Sequence, residues 1–202
     1  MSHKCFLLFA GFFFLVSNLS IGQNIDINLL RDINLNRNES FDGVFKLLTN
    51  TAAPISAGIP VGMLGVGLIK GDSALTRHAI VIGASVVSSA MITLAMKAIV
   101  KRPRPFTTYS DIEKLTSGGG YSFPSGHTSG AFSLATSLSL DYPKWYVIIP
   151  SYVWASAVGY SRMDLGVHYP SDILMGAVVG AGSAYLCHYL NQKLFRHRMP
   201  LH

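Results

Sequence analysis

From Ala52 onward the hydrophobic positions gather into blocks, at about 52–69, 79–100, 127–140, 145–160 and 173–190. None alternates with the period of two that a half-buried strand requires. Each is long enough, or nearly so, to cross a hydrocarbon core of about 30 Å as a helix. Gly, Ala and Ser punctuate most of them, the small residues that let membrane helices approach closely. Upstream, residues 23–50 interleave polar and apolar positions. Ile25, Leu29 and Ile33 recur every four residues, and Phe41, Val44, Phe45 and Leu48 follow the spacing of one helix face. Charged Asp26, Arg31, Asp32, Arg37, Asp42 and Lys46 stand between them. This predicts one or two amphipathic helices, lying on a membrane surface or packed against the rest of the chain. The expected fold is all-α: a membrane-embedded helical bundle of about five apolar helices plus an N-terminal amphipathic segment. A soluble bundle whose helices are buried all round is the alternative.

The first residues change the picture. Lys4 precedes an unbroken apolar run from Cys5 to Val16, and small residues follow at Ser20 and Gly22. This reads as a secretory signal peptide over 1–22, or, if retained, as a membrane anchor. The expected organisation is then an amphipathic segment at 23–50, a helical-bundle domain at 51–192 and a basic tail at 193–202. With the signal peptide removed only Cys187 remains, which excludes an intramolecular disulfide and a cysteine-based metal site. Half of the 202 residues are hydrophobic and 13% are charged, against about 25% in an ordinary soluble domain, so a disordered or coiled-coil chain is excluded. The net charge of +6 is not spread as a nucleic-acid-binding stripe. Lys97, Lys101, Arg102, Arg104 and Lys114 cluster instead, which points to a specific anion.

Three clusters at the ends of the apolar blocks carry candidate chemistry. In the first, Lys97 and Arg104 share one face if the helix continues, but Pro103 and Pro105 predict that it ends near Arg102 and that Arg104 sits on an extended exit. A lysine in an apolar helix is costly without an anionic partner, unless it snorkels to the surface. The second, Pro124-Ser125-Gly126-His127, opens a helix whose first amides would point outward as an anion site, with Gly126 allowing close approach. The third runs from Ser161-Arg162 to His168 and Asp172. Asp172, four residues after His168 and in the first turn of the next helix, could hold one ring nitrogen and leave the other free to attack, or simply cap that helix beside a solvated histidine. Asp164 reads as a solvated charge, Ser117-Gly118-Gly119-Gly120 as a flexible loop, and His78, His188 and His197 as ordinary polar residues. Three cations, a helix N-terminus and two histidines suit a tetrahedral dianion with a nucleophile and a proton donor. No carboxylate cluster or His/Cys spacing calls for a metal or another cofactor.

Lysine, six residues, Arg-Pro, then Pro-Ser-Gly-His, then Ser-Arg, five residues, His, three residues, Asp resembles the signature of type-2 phosphatidic acid phosphatases, shared with bacterial class A acid phosphatases and vanadium haloperoxidases. The resemblance spans residues 97–172 with every signature position filled. It implies a helical bundle and metal-free hydrolysis through a phosphohistidine. By it, His168 is the nucleophile, Asp172 orients it, and His127 is the acid and later the base. Lys97, Arg104, Ser125, Gly126 and Arg162 bind the phosphate. The implied activity is a phosphatase acting on a lipid phosphomonoester or polyprenyl pyrophosphate. The alternatives are a soluble periplasmic acid phosphatase, a haloperoxidase, or a non-catalytic membrane phosphate binder; binding alone would need the cations but not both histidines. The expected partners are a phosphorylated lipid and the membrane, with no nucleic acid. Basic residues at Lys70, Arg77, Lys144, Lys193, Arg196 and Arg198 fall on one side of the alternating helices. Under the positive-inside bias the candidate site then faces the periplasm of a bacterial-type inner membrane.

Overall fold

The computed structural model describes residues 19–195; the signal-peptide reading rests mainly on residues before Leu19, and Arg196, His197 and Arg198 also lie outside the described residues. Seven helices follow in order, with no strand among the described residues: α1 Leu19–Leu35, α2 Asp42–Lys70, α3 Ser73–Val100, a single turn α4 Pro105–Thr108, α5 Gly126–Asp141, α6 Trp145–Asp164 and α7 Pro170–Phe195. The five apolar blocks are all helical, within α2, α3, α5, α6 and α7. Punctuation sets the boundaries. Gly71, at φ +65°, closes α2 by donating to the carbonyls of Gly67 and Leu68, and the Asp72 side chain accepts from the Leu75 amide to open α3. The helical spacing of Phe41, Val44, Phe45 and Leu48 carries on past the polar Thr49-Asn50-Thr51 to Ala52, and α2 continues across residue 50. Pro54 and Pro60 lie inside it, as membrane helices tolerate.

Three helical stretches, Glu39–Lys70, Ser73–Thr108 and Pro170–Leu194, are long and apolar enough to cross a membrane. Their outer sides carry Val61, Leu68, Ile69, Met91, Leu94, Leu174 and Val178, all exposed, and α6 adds Ile149 and Val153. Such a belt suits lipid, where apolar side chains lose nothing by facing outward. α5 is different. Its Thr128, Ser129, Ala131, Ser133, Leu134, Ala135, Thr136 and Ser137 are buried, and it runs through the centre, packed against α2, α3, α6 and α7. Close approach to α7 depends on small residues: a Cβ on Gly180 would lie 2.3 Å from the Ser129 carbonyl oxygen.

α1 packs against the domain, but not by the stripe that the sequence pattern selects. Ile25 and Leu29 are exposed, while Asp26, Ile27, Leu30 and Asn34 are buried. Ile27 and Leu30 join Ile112 and Tyr169 in a small core beneath the segment that follows α4. Asn34 donates to the carbonyls of Asp164 (2.7 Å) and Glu113 (3.2 Å) and accepts from the Glu113 amide (2.9 Å). That contact covers Asp164, which is buried at 2% exposure and not the solvated charge the sequence suggests.

Candidate active site

The three clusters meet at one end of the bundle, in a cavity of about 280 Å³ lined by Lys97, Arg104, Ser117, Gly118, Gly119, Gly126, His127, Arg162 and His168. α3 ends at Val100, Lys101 takes a left-handed conformation at φ 50°, and Arg104 is extended at φ −78°, ψ 156°. The prolines therefore act as expected, carrying Arg104 off the helix and into the cavity wall. Lys97 finds carbonyl partners, donating to Tyr121 (2.6 Å) and Ser122 (3.1 Å).

Arg104 is buried. It donates to the carbonyls of Gly119 (2.8 Å), Val167 (2.9 Å) and Gly120 (3.2 Å), and its Nη1 lies 3.3 Å from His168 Nε2. Arg162 enters from the last turn of α6, donating to Thr49 Oγ1 (2.6 Å) and the Ser117 carbonyl (3.1 Å). Its Nε is buried without a partner. The glycine stretch is thus pinned by two arginines and does not behave as the free loop its composition suggests. Glycine suits this stretch: a Cβ on Gly118 would press to 3.0 Å from Arg104 Nη1, and Gly120 sits at φ +63°, a conformation strained for other residues.

α5 begins at Gly126, with Ser125 as its cap. The Ser125 hydroxyl accepts from Thr128 Oγ1 (2.9 Å) and more weakly from the Thr128 amide (3.5 Å). Its own amide donates to the Asp172 carbonyl at 3.0 Å, so it does not point outward for an anion as expected. Gly126 and His127, in the first turn, have amides with no carbonyl behind them in the helix, and both residues line the cavity.

His168 lies in the turn between α6 and α7. Its Nδ1 is 3.2 Å from Asp172 Oδ2, as the four-residue spacing predicts. Asp172 is fully buried. Besides His168, its Oδ2 accepts from the Tyr169 amide (3.0 Å) and the Ser122 hydroxyl, and its Oδ1 accepts from Arg102 Nη1 (2.8 Å). An acceptor so placed assigns the proton to Nδ1 and leaves the Nε2 lone pair toward Arg104 at the cavity wall. Burial is the largest influence on His168 and pushes its pKa down to about 3; the Asp172 carboxylate opposes the shift, and Arg104 and Arg162 add to it. The imidazole is therefore neutral at physiological pH, the state a nucleophile needs. Among the described residues, no group of three His, Cys, Asp or Glu side chains is arranged to hold a metal ion.

Sequence reasoning did not single out Arg102, Ser122 or Thr49. Arg102 was visible only as one charge of a basic run, and Ser122 and Thr49 carry no local signal. Beside the polar cavity lies a second one of about 350 Å³, lined by Ala52, Ala53, Ser56 and Ala57 of α2, Val86, Ser89 and Ala90 of α3, and Gly126, His127 and Gly130 of α5.

Comparison with known proteins adds an independent line. The family profile described as the PAP2 superfamily matches residues 78–196. A lipid A 4'-phosphatase of Bacteroides thetaiotaomicron is 33% identical over 105 residues, covering 49% of this chain; the match spans about half of that relative's length, 47%. An undecaprenyl-diphosphatase of Sulfolobus acidocaldarius is 32% identical over 174 residues, covering 81% of this chain and 78% of the relative. Among solved structures, a transmembrane PAP2 type phosphatidylglycerolphosphate phosphatase from Bacillus subtilis superposes with a TM-score of 0.71 at 25% identity, covering 98% of this chain and all of that one.

Proposed function

Since the chain belongs to the PAP2 superfamily, we propose that it is a membrane-embedded phosphatase that hydrolyses a lipid phosphomonoester or a polyprenyl pyrophosphate through a phosphohistidine at His168. The observation that carries this reading is His168 itself: buried, with Nδ1 on Asp172 and Nε2 beside Arg104 in a cavity it shares with Lys97, Arg162 and His127. Nε2 attacks phosphorus as the bond to the leaving oxygen breaks. His127 protonates that oxygen, then takes a proton from the water that cleaves the nitrogen–phosphorus bond. Lys97, Arg104 and Arg162, with the Gly126 and His127 amides, hold the phosphoryl oxygens and stabilise the charge that builds on them. The unpartnered Nε of Arg162 is a donor suited to such an oxygen. Ser125 contributes as the cap that fixes the start of α5.

A lipid substrate is favoured by what surrounds the phosphate cavity. The slot between α2 and α3 reaches His127 and is lined mainly by Ala, Gly and Val, so an apolar chain there would leave its phosphate among the cations. The exposed apolar sides of α2, α3 and α7 weigh against the soluble alternative. Release of inorganic phosphate in EDTA from phosphatidate, phosphatidylglycerophosphate, lipid A and undecaprenyl pyrophosphate tests the reading and sorts the substrates. Vanadate, which mimics the pentacoordinate transition state, is expected to inhibit. Loss of activity in EDTA that magnesium restores would overturn the metal-free mechanism.

The site is proposed to face the periplasm. The opposite end of the bundle carries Lys70, Arg77, Lys144 and Lys193, as the charge bias of inner-face connections requires. Single cysteines at Gly71 and Ser117, probed with an impermeant thiol reagent in intact cells, are expected to label at Ser117 alone. The reverse pattern would put the chemistry on the cytoplasmic side.

A further inference from the structure

Arg102 lies between two carboxylates. Its Nη1 donates to Asp172 Oδ1 at 2.8 Å and to Ser171 Oγ at 2.7 Å, and its Nη2 donates to Asp26 Oδ2 at 2.7 Å. Asp26, on α1, also accepts from the Ser171 amide (2.8 Å) and the Ser171 hydroxyl (2.5 Å). The guanidinium stacks on the Tyr169 ring, 3.7 Å from its centre. Asp26 is 8% exposed and Asp172 is fully buried. Apart from the Nη1 contact to the Ser171 hydroxyl, the donors that Arg102 and Ser171 turn toward this cluster end on one of these two carboxylates.

We propose that Asp26 is a positioning residue of the reaction, acting through Arg102 on Asp172 and so on the nucleophile His168. This rests on the phosphatase reading above. A buried carboxylate facing a guanidinium alone would share most of its charge with that cation, and would hold the His168 Nδ1–H correspondingly less strongly. Asp26 supplies the second negative charge. The guanidinium divides between two carboxylates, and Asp172 keeps enough charge to support the positive imidazole that forms when Nε2 bonds to phosphorus. Asp26 also holds Ser171, the residue next to Asp172, by amide and hydroxyl, which fixes the first turn of α7 that presents the carboxylate. The amphipathic N-terminal helix is thereby part of the catalytic apparatus although it contributes no group to the cavity.

The test uses Asp26→Asn in the full chain, purified in detergent. Asparagine keeps an acceptor for the Ser171 amide and removes the charge. The expected result is a fall in kcat of roughly tenfold, the lower range for loss of an outer partner of an oriented imidazole. It should appear on both a lipid phosphate and an activated aryl phosphate, with KM unchanged. Arg102→Gln should lower kcat as well, and Asp26→Asn should add nothing to it, because the two act in one chain. Asp111→Asn, which cuts the Arg31 link (2.7 Å) that also tethers α1, should leave kcat unchanged. A readout independent of turnover is the side-chain 15N resonance of His168, assigned with His168→Gln; it should move in Asp26→Asn and not in Asp111→Asn. Independent, additive losses from Asp26→Asn and Arg102→Gln, or an unmoved kcat and resonance, would overturn the proposal. If the wild type released phosphate from no ester, the functional reading would fall, and the resonance alone would decide the linkage.

Discussion

The two ends of this bundle carry histidines against an aspartate, and only one end is built for chemistry. At the cavity end Asp172 serves one histidine, and the second nitrogen of that ring lies beside Arg104 in a cavity walled by Lys97, Arg104 and Arg162. At the other end Asp141 Oδ1 receives two, His78 Nδ1 at 2.9 Å and His188 Nε2 at 2.8 Å. His188 spends its remaining nitrogen on the Ala184 carbonyl at 3.1 Å, and His78 packs against Tyr142 with the rings tilted by 48°. The cluster ties α3, α5 and α7 together where α5 ends. A histidine–aspartate contact is thus no mark of catalysis by itself. What distinguishes the cavity end is a ring nitrogen that meets a cavity-lining arginine instead of a helix carbonyl, a group of cations with few anions to quench them, and a glycine stretch that lets arginines approach the backbone.

The sharpest way to break this contrast is His168→Ala, which should lower turnover by roughly 10⁴-fold or more in protein that still folds, since the proposed nucleophile is removed. Rapid quench of the wild type into alkaline denaturant should trap phosphate on the protein that survives alkali and is released by acid. Finding that phosphate on the His168→Ala protein would move the nucleophile elsewhere. His127→Ala comes next. General acid catalysis contributes about 10² to 10⁴-fold, so the loss should be of that order on an alkyl phosphate and much smaller on an activated aryl phosphate, whose leaving oxygen needs no proton. Equal losses on both substrates would remove His127 from the role of acid.

The same contrast explains what could be read from sequence. His168 and Asp172 lie one helical turn apart, and Lys97 and Arg104 are separated by prolines that end a helix, so their chemistry is encoded locally. Asp141 stands 47 residues from His188, and Arg102 stands 76 from Asp26; spacing says nothing about either. The fold was legible because lipid-crossing helices need long apolar runs, whatever they pack against. The orientation of α1 was not. Periodicity assumes that the apolar stripe faces inward, yet Ile25 and Leu29 face out while Asp26 and Asn34 are buried by specific polar partners. Asp164 was misread for the same reason: the residue that covers it, Asn34, comes from 130 positions away.

The smallest effect on catalysis is expected from the opposite end. Asp141→Ala leaves His78 and His188 without their shared carboxylate, and in the native chain the second oxygen, Oδ2, is already buried without a partner. Removing the charge therefore exchanges one strained arrangement for another: two rings lose a strong acceptor, while the cost of burying an ion disappears. The lost hydrogen bonds should dominate, because the imidazoles remain held between α3 and α7 with no better acceptor within their own helices. Destabilisation of about 1–3 kcal/mol is the scale for a buried donor left unpaired, and for a chain of this size each kcal/mol lowers Tm by about 2–4 °C. Thermal unfolding in detergent should record that fall, and kcat of the folded fraction should match the wild type. A large loss of kcat with Tm unchanged would mean that the Asp141 cluster couples to the phosphate cavity along α5, and that the two ends of the bundle are not separable after all.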